Sequence, residues 1–274
     1  MLIFLKWPLV RPCPMKKSAG LIITLTLPAT LFKNTTMRVK QPGFDLSCLA
    51  CTKGSHSIFS LLDNEKLAEL NIHKSCTTFK KGQLIFSENA LPLGLYCINN
   101  GKIKLSTSGP DGKEQILRLV KGGDILGYRS LLANDRYHCN AVALEDSSVC
   151  IIDKAFFMNL AMSNQTLCLA LFKKISDDLK TAEEHIVSLS QKNVRERVAE
   201  ALLFLKATYG FEEDGQTINV QLSREEIADL VGTSTESTIR LLSEFNTSKL
   251  IELAGKKIKI TNLEKLSKTA NLLY

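Results

Sequence analysis

The stretch LSREEIADLVGTSTESTIRLLSEF, residues 222–245, decides the fold. Ser223 followed three residues later by Glu226 is a capping box, so a helix opens there and runs to Val231. Gly232 supplies the turn that ends it. Thr233 or Ser234 then opens a second helix reaching about Phe245, with Leu241, Leu242 and Phe245 as its core face. Two short helices joined by a glycine turn form the unit that can lay one helix in a nucleic-acid groove.

Working outward, Leu250 to Thr261 reads as a hairpin turning at Ala254-Gly255 and flanked by Lys256, Lys257 and Lys259. Upstream, Ile218 to Leu222 reads as a short strand. An amphipathic helix from Asn193 to Tyr209 runs through Val194, Val198, Ala201, Leu202 and Leu205 and ends at Gly210. Helix, glycine turn, helix and basic hairpin is the layout of a winged helix-turn-helix. Before it, Cys168, Phe172, Ile175, Leu179, Ala182, Ile186 and Leu189 fall at alternating three- and four-residue steps, with the charged residues outside that seam. Such a seam buries itself against a symmetry mate in a parallel homodimer or against its own neighbouring domain, and both are expected along different parts of the helix.

From Thr77 to Asp153 the period changes. Short runs at 84–86, 94–99, 102–107, 115–120 and 149–153 are separated by turn signals such as Lys81-Gly82, Asn100-Gly101 and Gly122-Gly123-Asp124. A compact all-β unit is expected, with Asn100-Gly101 as a tight hairpin turn. Ile58 to Leu70 has helical spacing, with Asp63 as a start signal.

The net charge of +7 invites a nucleic-acid reading, but it resides in the first 40 residues: Lys6, Arg11, Lys16, Lys17, Lys33, Arg38 and Lys40 face no acid before Asp45. Residues 193–274 carry 11 basic and 12 acidic side chains. DNA affinity must therefore come from placed residues. Residues 1–44 read as a leader, either an over-long start with translation from Met37 or a disordered extension; Lys16-Lys17 and Leu21 to Leu27 resemble a secretory signal interrupted by Pro28. Eight scattered cysteines do not form a disulfide framework, and reduced thiols in a cytoplasmic protein are expected.

Residues 222–245, with the spaced glycines at Lys81-Gly82, Asn100-Gly101-Lys102 and Gly122-Gly123-Asp124-Ile125-Leu126-Gly127, resemble the Crp/Fnr transcription regulators from about Asp45 to Ala270. The resemblance implies an α+β fold: an N-terminal cyclic-nucleotide-binding-like β-roll (jelly roll, 45–158), a long dimerisation helix (159–192) and a C-terminal winged helix-turn-helix (193–274). It implies that Glu236 and Arg240 read bases, with Thr233, Ser234, Thr235 and Ile239 beside them and Arg224 on a phosphate. Chemistry agrees, since an Arg fork donates to guanine and a carboxylate accepts from cytosine. Glu236 has a rival reading as the far end of a capping box from Thr233. Ile239 either meets a thymine methyl or packs inward.

The resemblance also frames the sensor. Cyclic-nucleotide-binding members carry a Gly-Glu pair and a phosphate-clamping Arg. Here Tyr128-Arg129-Ser130 follows Gly127, and His138 stands where the clamp would be, so a cyclic nucleotide is not expected; Arg129 or Arg136 would have to compensate. Tyr128, Arg129 and His138 are the candidate effector-pocket residues. Fnr-type members hold an iron–sulfur cluster. Cys48, Cys51 and Cys150 match three of its ligand positions and His56 lies near the missing fourth, while a thiol switch or ordinary thiols are the alternatives. Cys76, Cys97, Cys139 and Cys168 read as small core residues, and His73 and His185 as surface residues.

The resulting expectation is a cytoplasmic, homodimeric regulator of transcription. Its partners are double-stranded DNA at an inverted repeat and RNA polymerase, with no membrane and no enzyme activity. The competing expectation is a redox- or ligand-sensing protein whose degenerate helix-turn-helix serves protein contacts only.

Overall fold

The computed structural model describes Cys48 and residues 57–271. The leader expected over residues 1–44 lies outside them, as do Cys51 and His56. Asp63 accepts a hydrogen bond from the Lys66 N–H at 2.7 Å and opens α1 (Asn64–Ile72). Its extended backbone splits the apolar pattern that begins at Ile58, so a single 3-10 turn over Ile58–Leu61 precedes the cap.

Eight strands form two four-stranded antiparallel sheets. One runs β1 (Lys74–Phe79), β8 (Ser147–Asp153), β3 (Gly94–Asn100), β6 (Ile125–Leu126); the other runs β2 (Leu84–Phe86), β7 (Asn140–Ala143), β4 (Lys102–Ser108), β5 (Glu114–Lys121). Phe86, Ile98, Ile103, Leu105, Val120 and Leu126 form the buried cluster of this β-roll. β3 and β4 belong to different sheets, which corrects the hairpin expected at Asn100-Gly101. That dipeptide is a corner where the chain leaves one sheet for the other. Gly101 has φ +110°, and a Cβ there would lie 2.1 Å from the Ser147 Oγ, so the corner needs glycine for space as well as for backbone angle.

Gly127, at φ +79°, leads into α2 (Tyr128–Ala133). Asp153 caps α3 (Lys154–Ser163), whose Phe157, Leu160 and Ala161 are buried in a core shared with the β-roll. Asn164 then breaks the chain: its backbone N–H closes α3 on Leu160, and its Oδ1 accepts from Leu167 N–H at 2.9 Å to open α4 (Gln165–Gln191). The two helices meet at 105°. The long helix expected from residue 159 therefore starts at 165. No single helix among the described residues is long and apolar enough to cross a membrane.

α4 divides by face rather than by length. Leu167 and Leu171 are buried and Lys174, Asp178 and His185 half-buried on the β-roll side, whereas Phe172, Leu179 and Ile186 are 63%, 59% and 65% exposed. At 100° per residue these two stripes lie roughly a third of a turn apart.

A complete capping box between Asn193 and Glu196 opens α5 (Val194–Tyr209), and Gly210 ends it. α6 (Arg224–Val231) and α7 (Thr235–Thr247) follow, then the hairpin of β9 (Ile251–Ala254) and β10 (Lys257–Ile260), and α8 (Leu263–Thr269). The strand expected over Ile218 to Leu222 is absent. Its alternation is real, since Ile218, Val220 and Leu222 are buried, but only isolated bridges form, Phe211 with Ile218 and Thr217 with Lys259. The segment buries its apolar side without a continuous ladder.

Gly82 also has a positive φ, +81°, but open space where its Cβ would go. Gly82→Ala should therefore cost about 1 kcal/mol of backbone strain alone. Gly101→Ala should cost at least about 1 kcal/mol more, for the clash. Urea unfolding midpoints of the two variants compare them directly.

Candidate nucleic-acid interface and sensor cavity

Ser234, not Thr233, caps α7: its Oγ accepts from the Ser237 N–H at 3.2 Å. The capping box from Thr233 to Glu236 is not formed. Hydrogen bonds from Glu236's own backbone N–H and from the Ser234 hydroxyl hold its carboxyl below the usual range, so the exposed side chain is ionised. One turn further, Arg240 is exposed and has no ion pair among the described residues. Ile239 is 48% exposed, which settles its packing as outward. Thr235 is half-buried at the first turn, and Thr238 is buried with its hydroxyl on the Ser234 carbonyl. The opposite face, Leu241, Leu242 and Phe245, is core as its period requires.

Arg224 points inward. Its Nη2 donates to the Gly255 carbonyl at 3.0 Å, and its Nη1 is buried without a hydrogen bond among the described residues. The guanidinium thus ties the start of α6 to the turn of the β9–β10 hairpin. Lys256 is exposed on that turn, and Lys257 pairs with Glu212 at 2.7 Å.

Between the β-roll and α4 lies a cavity of about 450 Å³. Tyr128, Arg129 and His138, the three expected residues, all line it, and Arg136 does not: its guanidinium donates to the Asn89 carbonyl. Arg118, Asp178 and His185 were missed, because nothing in the local pattern brings a strand residue within reach of a helix 60 positions away. Arg118 Nη1 lies 2.9 Å from both the Tyr128 hydroxyl and the Asp178 carboxylate, and Lys174 adds a second cation at 3.2 Å from Asp178. Burial, then the Arg129 charge, push His138 below its ordinary value, so it is neutral at pH 7. The Tyr137 hydroxyl is buried at the cavity wall, where burial and then the neighbouring Tyr96 push its pKa up.

Two family descriptions match the chain, "Cyclic nucleotide-binding domain" over residues 76–164 and "Crp-like helix-turn-helix domain" over 196–269. The chain belongs to the Crp/Fnr family of transcription regulators. It is 29% identical over 242 residues to the fumarate and nitrate reduction regulatory protein of Yersinia pestis, covering 87% of this chain and 96% of that one. The Escherichia coli K12 protein of the same name is 28% identical over the same shares. Among solved structures, FixK2 from Bradyrhizobium japonicum superposes with a TM-score of 0.66 at 23% identity, over 73% of this chain and 99% of that one; this likeness carries the fold.

In this Crp/Fnr regulator the cysteines do not stand as expected. Cys150 is joined to Cys76 in a disulfide between β8 and β1. That corrects the readings of Cys150 as a cluster ligand and of Cys76 as a plain core residue, because a sulfur bonded to sulfur offers no thiolate to a metal. The reduced state expected for the cysteines fails at this pair. Cys48 is buried nearby, and Cys48, Cys97 and Cys150 line one cavity of about 30 Å³, room for water but not for a four-iron cluster. Among the described residues no group of three or more candidate ligands forms a metal site. Among the described residues, Cys150 as bonded here does not fit a cluster; the other expected ligands Cys51 and His56 lie outside them.

The β-roll also packs on the helix-turn-helix unit. Ile116, Leu119 and Leu144 belong to the same buried cluster as the helices of the helix-turn-helix. Lys104, 8% exposed, lies 2.8 Å from Glu114 and 3.7 Å from Glu226 of α6, and Gln115 Nε2 donates to the Asp229 carbonyl oxygen at 2.6 Å. Burial and the Glu114 charge raise the Asp229 carboxyl to about 6. A carboxyl raised in the folded state retains a proton that the unfolded chain releases, so its penalty is absent below about pH 4, grows to about pH 6 and persists above. Asp229→Asn should stabilise the protein at pH 7, with the gain vanishing near pH 4. Paired denaturation curves across that range test the sign.

Proposed function

We propose that this regulator acts as a homodimer whose two α7 helices read an inverted repeat, Arg240 donating to a guanine and Glu236 accepting from a cytosine. The observation that carries this reading is that Glu236, Ile239 and Arg240 share one solvent-exposed face of α7. Ile239 supplies an apolar contact suited to a thymine methyl. Thr233, Ser234 and Thr235 flank the helix start where backbone N–H groups meet a phosphate. Lys256 and Lys257 add backbone contacts from the hairpin. Arg224 serves the interface by holding that hairpin, through Gly255, and its phosphate contact is secondary.

The exposed seam of Phe172, Leu179 and Ile186 is the surface of a dimer interface. The sensor unit, the interface helix and the DNA-binding unit divide at Asn164 and at Lys192-Asn193. The cavity beneath α4 is the sensor's input, because a ligand there competes with Asp178 for Arg118 and so acts on the helix that sets the spacing of the two recognition helices. Tyr128, Arg129 and His138 line it without the acid and the phosphate clamp that a cyclic nucleotide requires. RNA polymerase is the downstream partner of such a DNA-bound regulator. Relatives named for fumarate and nitrate reduction, and an electron transport regulator of Shewanella oneidensis, support an input linked to redox state.

Arg240→Ala should bring specific and scrambled duplexes to within about threefold of each other in a mobility-shift titration, and should lower the affinity for the specific site by at least tenfold. Retained discrimination overturns the base-reading role. Leu179→Glu with Ile186→Glu should shift the protein from dimer to monomer in sedimentation velocity while leaving its circular dichroism intact.

A further inference from the structure

β1, β8 and β3 are neighbours, and their registers place Cys76 opposite Cys150 and Cys97 opposite the same Cys150. Directly opposed residues in an antiparallel ladder project to one side of the sheet. Three cysteines therefore form a row across three strands, with the buried Cys150 in the middle and the half-buried Cys76 and Cys97 on its flanks. Cys48 opens onto the same cavity as Cys97 and Cys150, alongside Lys74, Phe59 and Leu70. Sequence spacing gave no sign of the row, since 74 residues separate Cys76 from Cys150.

We infer that this row is a thiol–disulfide exchange site in which Cys150 is shared between two alternative disulfides, one with Cys76 and one with Cys97. The Cys97 thiolate attacks the Cys150 sulfur, the Cys76–Cys150 bond breaks as the Cys97–Cys150 bond forms, and Cys76 departs as a thiolate that takes up the proton Cys97 released. Two electrons stay within the row, so no outside oxidant is needed. β1 is the edge strand of its sheet, so Cys76 is the sulfur that an external dithiol reaches. Such a dithiol opens the row fully: it leaves as its own disulfide, and its two electrons and two protons convert Cys76 and Cys150 to thiols.

The position gives the exchange a consequence. Cys150 lies three residues before Asp153, the cap of α3, and Cys48 is packed in the cluster that holds Phe157, Leu167 and Leu171 at the α3–α4 bend. Breaking the Cys76–Cys150 bond removes the covalent tie between β1 and β8, the strand that runs on through α3 to that bend. The site rests on strand register and stands independently of the DNA-binding reading.

The test is a disulfide map of the full-length protein, quenched in acid, alkylated with N-ethylmaleimide and digested without reduction. In wild type, the Cys76–Cys150 peptide should dominate, with a minor Cys97–Cys150 peptide that grows when the protein is held at pH 8.5 with substoichiometric dithiothreitol before quenching. In Cys76→Ser, oxidised with glutathione disulfide, Cys97–Cys150 should become the main Cys150 link; in Cys97→Ser, only the Cys76 link should remain. Cys97 fully alkylated under every wild-type condition overturns the proposal, as does a Cys150 linked to neither partner. Bound iron and sulfide that are lost in Cys150→Ser would overturn it in favour of a cluster. The map needs no DNA, so failure of the base-reading prediction leaves its outcome untouched.

Discussion

One helix has to satisfy two apolar surfaces at once. α4 must keep Leu167 and Leu171 on the sensor core while presenting Phe172, Leu179 and Ile186 elsewhere. With 27 residues it holds both stripes in fixed relation over its length, because an α-helix between two packed faces does not twist freely. The starting angle comes from one side chain. Asn164 satisfies the last turn of α3 and the first turn of α4, and without such a cap the two helix ends would leave more backbone groups unpaired at the bend. The course of α4 beyond that bend inherits its geometry, and so would the spacing of two α7 helices in the proposed dimer.

Charge is buried where the sensor meets the helix-turn-helix. Lys104, Glu114 and Glu226 give up much of their hydration there, and the Ser106 hydroxyl supports Glu114 as well. Burial alone would raise the Glu114 carboxyl, yet the hydrogen bonds from Lys104 and Ser106 hold it below its usual value. Buried ion pairs are weak sources of stability, because desolvation offsets most of their Coulombic gain, but removing one member leaves an uncompensated charge. The arrangement therefore selects one docking of β4 and β5 on α6 more than it strengthens it. Gln115, bonded to the Asp229 carbonyl, adds direction to the same contact.

Local chemistry was legible in the sequence, and contacts between distant segments were not. The Ser223–Glu226 capping box, Gly232 at φ +71°, the Asp63 cap and the buried face of α7 all follow from neighbours within four residues. Asn100-Gly101 misled because the same dipeptide suits a hairpin and a corner, and the choice depends on which strand β4 pairs with. Ile218 to Leu222 misled because alternation reports burial on one side, not the presence of a partner ladder. The cavity was half visible: Tyr128, Arg129 and His138 stand at positions that the resemblance to cyclic-nucleotide-binding members picks out, whereas Arg118, Asp178 and His185 meet only through tertiary packing. The cysteine row was invisible, since it is defined by register alone.

The distribution of charge bears on how such a protein finds DNA. A domain with 11 basic and 12 acidic residues has no long-range attraction to a polyanion, so non-specific binding is weak and encounter is slow compared with a basic domain. What remains is a few cations where geometry has put them: Arg240 on the exposed face of α7, Lys256 on a turn held by Arg224, and Lys257 partly neutralised by Glu212. Glu236 adds a negative charge to that face, which repels phosphate and leaves the helix dependent on correct base partners. Discrimination in such a surface comes as much from the cost of a wrong sequence as from the gain of a right one. On the proposed reading, few phosphate contacts would mean a shallow salt dependence, and most of the affinity at physiological ionic strength would have to be base-specific and dimer-dependent.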